Sequence, residues 1–246
     1  MSQLQGKNAF ISGGTRGIGA AIVRKMATEG VNVAFTFHKS QQIANDLVEE
    51  IEAHRVKGLA IQADAMQAEN VVQAVQKAVS VFGSIDILVN SAAIFELKSI
   101  SESTLEDYER TESVNIKAVF AATAEAVKSM QQGGRIITIG SVNADSMPFA
   151  GGSLYAMSKA AVQMMTKSWA RDLGEKKITA NVIQPGPIDT DLNPADGFLS
   201  EALTPMTAIK RYGKPEEVAE LTAFLSSSKA ANITGSAINI DGGMTV

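Results

Sequence analysis

Short apolar runs that alternate with longer stretches of helical periodicity limit this chain to very few architectures. The runs are Asn8–Ser12, Val31–Thr36, Gly58–Gln62, Ile85–Asn90, Arg135–Gly140, Thr179–Gln184 and Ala237–Ile240. Each is nearly all apolar rather than alternating, the pattern of a parallel strand covered on both faces. Between them, Ile18–Glu29, Gln41–His54, Ala68–Phe82, Thr104–Met130 and Leu154–Gly174 carry apolar residues three and four apart, as at Ile22 and Met26 or Val72, Val75 and Val79. That spacing makes one face of a helix apolar. The alternation predicts right-handed βαβ units and an α/β fold of Rossmann type, a doubly wound parallel sheet of about seven strands with helices on both faces.

No linker or low-complexity segment divides the 246 residues, so a single domain over 1–246 is expected. The least regular stretch, Pro185–Pro205, holds four of the six prolines. It follows the sixth strand, over the carboxyl edge of the sheet where ligands bind in such folds. A substrate lid at about residues 185–210 is expected there.

Composition mostly excludes. A net charge of −4 argues against a surface built to neutralise nucleic-acid phosphates. The absence of cysteine removes disulfides and thiolate metal sites and suits a reducing cytoplasm. The first residues lack the pattern of a signal peptide, and no apolar run approaches the ~18–20 residues of a membrane helix. A cytoplasmic protein with no membrane and no nucleic-acid partner is the expectation.

After the first strand, Ser12-Gly13-Gly14-Thr15-Arg16-Gly17-Ile18-Gly19 runs directly into a helix. Glycines there let the backbone turn sharply and approach a pyrophosphate, while the helix start offers free N–H groups and a positive dipole end. Gly13, Thr15, Arg16, Gly17, Ile18 and Gly19 are therefore cofactor candidates. Enzymes that use NAD place an acid after the second strand to hold the ribose 2′-hydroxyl. This chain reads Phe35-Thr36-Phe37-His38-Lys39-Ser40 instead. With Arg16 able to reach the same place, two cations and no carboxylate favour a 2′-phosphate and hence NADPH. The alternative is that Lys39 simply faces solvent.

Tyr155 and Lys159 stand four residues apart, on one face of a helix. Ser141, at the end of the fifth strand, lies immediately upstream. A phenol titrates near ~10 and is a poor acid or base at neutral pH. A nearby ammonium favours the phenolate and is expected to lower that value. Tyr155 then becomes a proton-transfer group for a carbonyl or alcohol oxygen.

With the glycine turn, Asp64, Asn90-Ser91-Ala92-Ala93, Asn115, Ser141, Tyr155, Lys159 and Pro185-Gly186 with Ile188 and Thr190, the chain resembles the short-chain dehydrogenase/reductase family over its full length. The resemblance implies that Tyr155 is the general acid in reduction and that Lys159 binds the nicotinamide ribose and lowers the tyrosine pKa. It implies that Ser141 hydrogen-bonds the substrate oxygen and that Asn115 holds a water linking Lys159 to solvent. Asp64 and Ala65 would contact adenine, Asn90 and Ala92 the cofactor, and Pro185, Gly186, Ile188 and Thr190 the nicotinamide end. Two departures stand out. Ala93 replaces the family's glycine, adding a methyl group beside the cofactor, and Ser12 replaces threonine but keeps the hydroxyl.

His38 and His54 are the only histidines, so no histidine triad or metal site is expected. His54 is expected on the surface of a charged helix. Asp145, Asp189 and Asp191 read as solvated loop acids, and no metal is expected. Met157, Met164, Met165 and Trp169 read as packing residues. Asn143, Met147 and Phe149 are candidate substrate contacts.

By motif the chain is similar to the 3-oxoacyl-acyl-carrier-protein reductases, whose acidic partner calls for a basic patch. Gln131-Gln132-Gly133-Gly134 offers little positive charge, which favours a small-molecule ketone or β-keto ester as substrate. The runs Gly140–Asp145 and Gln184–Asp191 also resemble a cyclic-di-GMP-binding, biofilm-dispersal branch of the fold, a regulatory alternative. The family resemblance implies a homotetramer, with interfaces on the stretches Thr104–Met130 and Leu154–Gly174 and at 239–243.

Overall fold

A computed structural model describes residues 2–246. Seven strands, β1 (Asn8–Ser12), β2 (Asn32–Phe37), β3 (Gly58–Gln62), β4 (Ile87–Asn90), β5 (Arg135–Ile139), β6 (Thr179–Pro185) and β7 (Ala237–Ile240), form one sheet in the order β3-β2-β1-β4-β5-β6-β7. Every neighbouring pair is parallel. The order reverses between β1 and β4, and that reversal opens a crevice at the carboxyl ends of the strands. The expected architecture is the observed one.

Successive strand residues point to opposite faces and meet different helices. In β1, Ala9 and Ile11 join a core with Ile22 and Met26 of α1 (Gly17–Thr28), Leu47 and Ile51 of α2 (Gln41–Glu52) and Val218. Phe10 points the other way, into a core with Val71 and Val75 of α3 (Ala68–Phe82) and with Ala122 and Ala126. Phe10 and Ile11 are wholly buried. Burying such a side chain contributes about 1.5–3 kcal/mol, so a one-residue slip of β1 would be strongly disfavoured.

The stretch expected as one long helix is helical without a break from Leu105 to Ser129, with a π turn inside it. Thr104 and Asp107 form a reciprocal cap that starts α4 (Leu105–Glu112), a π turn spans Ser113–Lys117, and α5 (Ala118–Ser129) follows. The catalytic helix α6 covers Ser153–Asp172. His54 is exposed as expected but lies two residues beyond α2. Beyond β6 the chain runs irregularly to a one-turn helix α7 (Ser200–Leu203), then to α8 (Pro215–Ser226), a helix the periodicity did not mark. Asp189 N–H donates to the Gly213 carbonyl and Gly213 N–H to that of Pro187, each at 2.9 Å, so the excursion between them has a closed neck.

Candidate active site

The carboxyl ends of β1, β2, β4, β5 and β6 surround one cleft of about 590 Å³. At its first end the glycine turn is fixed by its neighbours. Gly13 has φ +71° and donates its N–H to Thr36 Oγ1 at 2.9 Å, and Gly14 donates to the Thr36 carbonyl at 2.9 Å. A Cβ on Gly13 would stand 2.9 Å from Ala92 Cα, and one on Gly19 would collide with the Gly13 carbonyl oxygen. Backbone fills the space that any side chain would need, and this is why glycine is required. Ser12 Oγ accepts from the N–H groups of Ser91 (3.0 Å) and Ala92 (3.1 Å), tying the end of β1 to the loop after β4. A hydroxyl suffices there, and serine supplies it.

Three observations fit this end to a dinucleotide. The N-terminus of α1 has no side-chain cap and no acid in its first turn, so its N–H groups and dipole are left for an anion. Arg16 and Lys39 are exposed, line the cleft and make no ion pair among the described residues. Asp64, Ala65 and His38 line the wall beyond, with His38 Nε2 3.8 Å from Asp64. Thr15, Gly17, Ile18, Ala92, Ala93, Pro185, Gly186, Ile188 and Thr190 also line the cleft.

At the other end, Tyr155 and Lys159 at the start of α6 line the cleft with Ser141, the second residue after the β5 end. The edge of one ring meets the face of the other in the Phe95–Tyr155 pair, with centroids 4.8 Å apart at 78°. Burial pushes the phenol up to about 12, with the Ser141 side chain opposing that rise. Burial also brings the Lys159 ammonium down to about 8. Burial and the Ser141 side chain are the causes that set the Tyr155 phenol here, and lowering by Lys159 stays an implication of the family resemblance. Lys159 Nζ donates to the Ile139 carbonyl at 2.8 Å and stands 5.6 Å from the Tyr155 ring centroid.

Several expected contacts lie elsewhere. The Asn115 amide donates to the Ile94 carbonyl and Ser158 Oγ, both at 3.0 Å, and accepts from Ile94 N–H at 2.9 Å. Its side chain is used in these three bonds and does not line the cleft. Asn90 does not line the cleft either. Its amide donates to Thr123 Oγ1 at 3.1 Å and joins β4 to α5. Met147 covers Gly152 at the start of α6 instead of the cavity, while Asn143 and Phe149 do line it. Asp145 is held by Gln163 and Gln184 rather than standing free in a loop. Trp169 packs partly buried on the second core, whereas Met164 is 62% exposed.

Ile94, Phe95, Val114 and Met244, which were not anticipated, also line the cleft, together with Leu192, Leu199 and Leu203 from the stretch expected as a lid. Val114 precedes Asn115, and its place could have been read from that adjacency. Met244 arrives because the Gly242 carbonyl accepts from Ile209 N–H at 3.1 Å, a tertiary contact no local pattern announces.

A cleft that accommodates a dinucleotide at one end and holds a protonated phenol at the other defines a dinucleotide-dependent oxidoreductase. Residues 13–245 match the family model described as enoyl-(acyl carrier protein) reductase. The chain is 45% identical over 242 residues to the cyclic-di-GMP-binding biofilm dispersal mediator protein of Escherichia coli strain K12, covering 98% of each. It is 35% identical to a 3-oxoacyl-[acyl-carrier-protein] reductase of Staphylococcus epidermidis, over 97% of this chain and 98% of that one. Among solved structures, a short-chain dehydrogenase/reductase from Serratia marcescens superposes with a TM-score of 0.97 at 48% identity, over 99% of this chain and 100% of that one. A blue fluorescent protein from a metagenomic library, solved in complex with NADPH, gives 0.98 at 46% over the whole of both chains. The chain belongs to the short-chain dehydrogenase/reductase family.

Proposed function

We propose that this protein reduces a small ketone or β-keto ester to a secondary alcohol with NADPH, Tyr155 giving the proton. The observation that carries the reading is the cleft itself: Tyr155 and Ser141 line it together with Ile94, Phe95, Val114, Phe149 and Leu199. Apolar walls with few polar groups suit an uncharged carbonyl compound. Ser141 orients the substrate oxygen, and the phenol, neutral well above pH 7, delivers its proton to that oxygen as the alcohol forms. Lys159 holds the nicotinamide ribose. Bound NADPH supplies the hydride. Arg16 and Lys39, without an ion-pair partner among the described residues, support NADPH over NADH, as does the NADPH in the related metagenomic protein.

The test is consumption of NADPH by purified protein with a panel of ketones and keto esters. No turnover with any of them would sink the reading. A carrier-protein substrate is a weaker alternative, because the turn at Gln131–Gly134 is uncharged. The family's tetramer is part of the proposal, with exposed Leu105, Tyr108, Phe120 and Met164 on α4, α5 and α6 supporting burial between copies. A monomer by gel filtration would refute that part.

One observation favours a second reading. The relative named for cyclic-di-GMP binding matches over 98% of this chain, so a nucleotide-sensing role in biofilm dispersal, within the cytoplasm, is the alternative. Calorimetry with cyclic-di-GMP, with and without NADPH, separates the two. No heat in either condition removes the regulatory reading.

A further inference from the structure

We infer that Asp145 is a positioning residue, whose carboxylate locks the turn carrying Ser141 against both the helix of Tyr155 and Lys159 and the end of β6. The inference rests on the ketone-reducing reading given above. Asp145 Oδ1 accepts from Gln163 Nε2 at 3.2 Å, and Oδ2 accepts from Gln184 Nε2 at 2.8 Å. Both glutamines are buried, Gln184 completely. Gln163 stands one helical turn beyond Lys159 and two beyond Tyr155, on the same face of α6. Gln184 immediately precedes Pro185-Gly186, which line the cleft.

The turn that Asp145 closes begins at Ser141. Ser141 Oγ accepts from Asn143 N–H at 3.1 Å, the Ser141 carbonyl from Ala144 N–H at 3.0 Å, and the Val142 carbonyl from Asp145 N–H at 3.1 Å. One carboxylate therefore joins the three elements that must keep Ser141, Tyr155 and the Pro185-Gly186 backbone in register. Asp145 does not line the cleft and touches none of the reacting groups.

Its chemistry is specific. Two buried amide donors converge on it, and a carboxylate offers two acceptor oxygens and no donor. An amide in its place accepts from one glutamine and turns an N–H group towards the other. The carboxylate side of the contact is exposed, so its charge stays hydrated while its bonds to the buried amides are charge-assisted. The arrangement gains strong bonds without burying an unpaired ion.

The test uses the full-length enzyme with NADPH. Asp145→Asn is expected to lower kcat on the order of 10–100-fold, with NADPH affinity by fluorescence titration unchanged within about twofold, as misplacement of one reacting group requires. The paired variant D145N/Q163E is expected to recover most of that loss, because the new amide donates to the new carboxylate and still accepts from Gln184. Hydrogen exchange of the NADPH-bound protein adds a readout independent of turnover: amides from Val142 to Ser146 lose protection in D145N while those of α6 and β6 do not. Wild-type kcat and wild-type exchange in D145N would overturn the inference. So would a lowered melting temperature with unchanged kcat, which would leave Asp145 a structural role only, or a loss that D145N/Q163E fails to relieve. If the unmodified protein turns over no ketone, the reading of its function fails, and unchanged exchange in D145N would separately remove the clamp.

Discussion

The Lys159 ammonium donates to the Ile139 carbonyl, 2.8 Å away, inside a site where neither group meets solvent freely. The lysine is thus anchored on the strand that leads to Ser141, while Tyr155 keeps its proton in a desolvated setting. The two titrations are pushed apart, the lysine down to about 8 and the phenol up to about 12. A proton donor for reduction and a charge that depends on mild alkali are the outcome.

The first prediction concerns pH. Below about 8 the free enzyme holds both a neutral phenol and a charged lysine. As pH rises past that value Lys159 loses its charge, while Tyr155 remains protonated. The value of kcat/KM for NADPH reports groups of the free enzyme, so it is expected to fall by about tenfold per pH unit above the lysine pKa. A steady-state profile from pH 6 to 10 checks this. A plateau extending to pH 10 would contradict it.

Tyr155→Phe removes the proton donor and keeps the ring that meets Phe95 edge-on. General acid catalysis contributes about 10²–10⁴-fold, so reduction is expected to fall by that range. The NADPH dissociation constant, by fluorescence titration, should hold, because the turn from Gly13 to Gly19 does not involve the phenol. Loss of binding together with activity would show that Tyr155 acts through the fold of the cleft.

Cofactor choice rests on Arg16 and Lys39, both without a carboxylate partner among the described residues. Replacing Lys39 with Ala should weaken NADPH by roughly 10-fold or more, the size of one charge-assisted bond to a phosphate, and leave NADH almost untouched. The comparison of the two dissociation constants is the measurement. An equal loss for both cofactors would mean that Lys39 supports the β2 end rather than the 2′-phosphate.

How much of this was legible beforehand depended on whether a signal was local. Strand positions came from apolar runs, and only their ends moved, as where β4 starts at Ile87 instead of Ile85. The π turn at Ser113–Lys117 left no trace, because inserting a single residue per turn barely disturbs an apolar spacing of three and four. Helix α8 has start signals in the sequence, Pro215 at its opening and Glu216 and Glu217 in its first turn, but lies outside the stretches whose apolar spacing marks the other long helices. In the site, Gly13, Arg16, Ser141, Tyr155 and Lys159 were readable from spacing along strand–helix junctions. The side-chain directions of Met147, which covers Gly152, and of Asn90, whose amide bonds Thr123, were not legible, because adjacency in sequence says nothing about which way a side chain turns. Met244 comes to the cleft through a contact between distant segments, Ile209 with Gly242, which no window of sequence contains.

Lys159 also carries a stability cost that can be measured. Its amine is charged at pH 7 although burial disfavours that form, and its pKa is lower in the folded chain, about 8, than the ordinary 10.5. Where the folded-state value of a lysine is depressed, the unfolded chain binds more protons between the two values, and stability rises with pH across that window. Lys159→Met keeps the length of the side chain and removes the charge. It forfeits the bond to Ile139, which costs part of the gain. The expected net effect at pH 7 is about 1–3 kcal/mol of added stability alongside loss of reduction, a rise of several degrees in Tm for a chain of this size. The difference from the unmodified protein should shrink from pH 8 to 10.5, where the lysine becomes neutral in both states. Thermal melts without NADPH across that range test it. A gap that is absent at pH 7, or that persists unchanged at pH 10.5, would place the cost of Lys159 somewhere other than its buried charge.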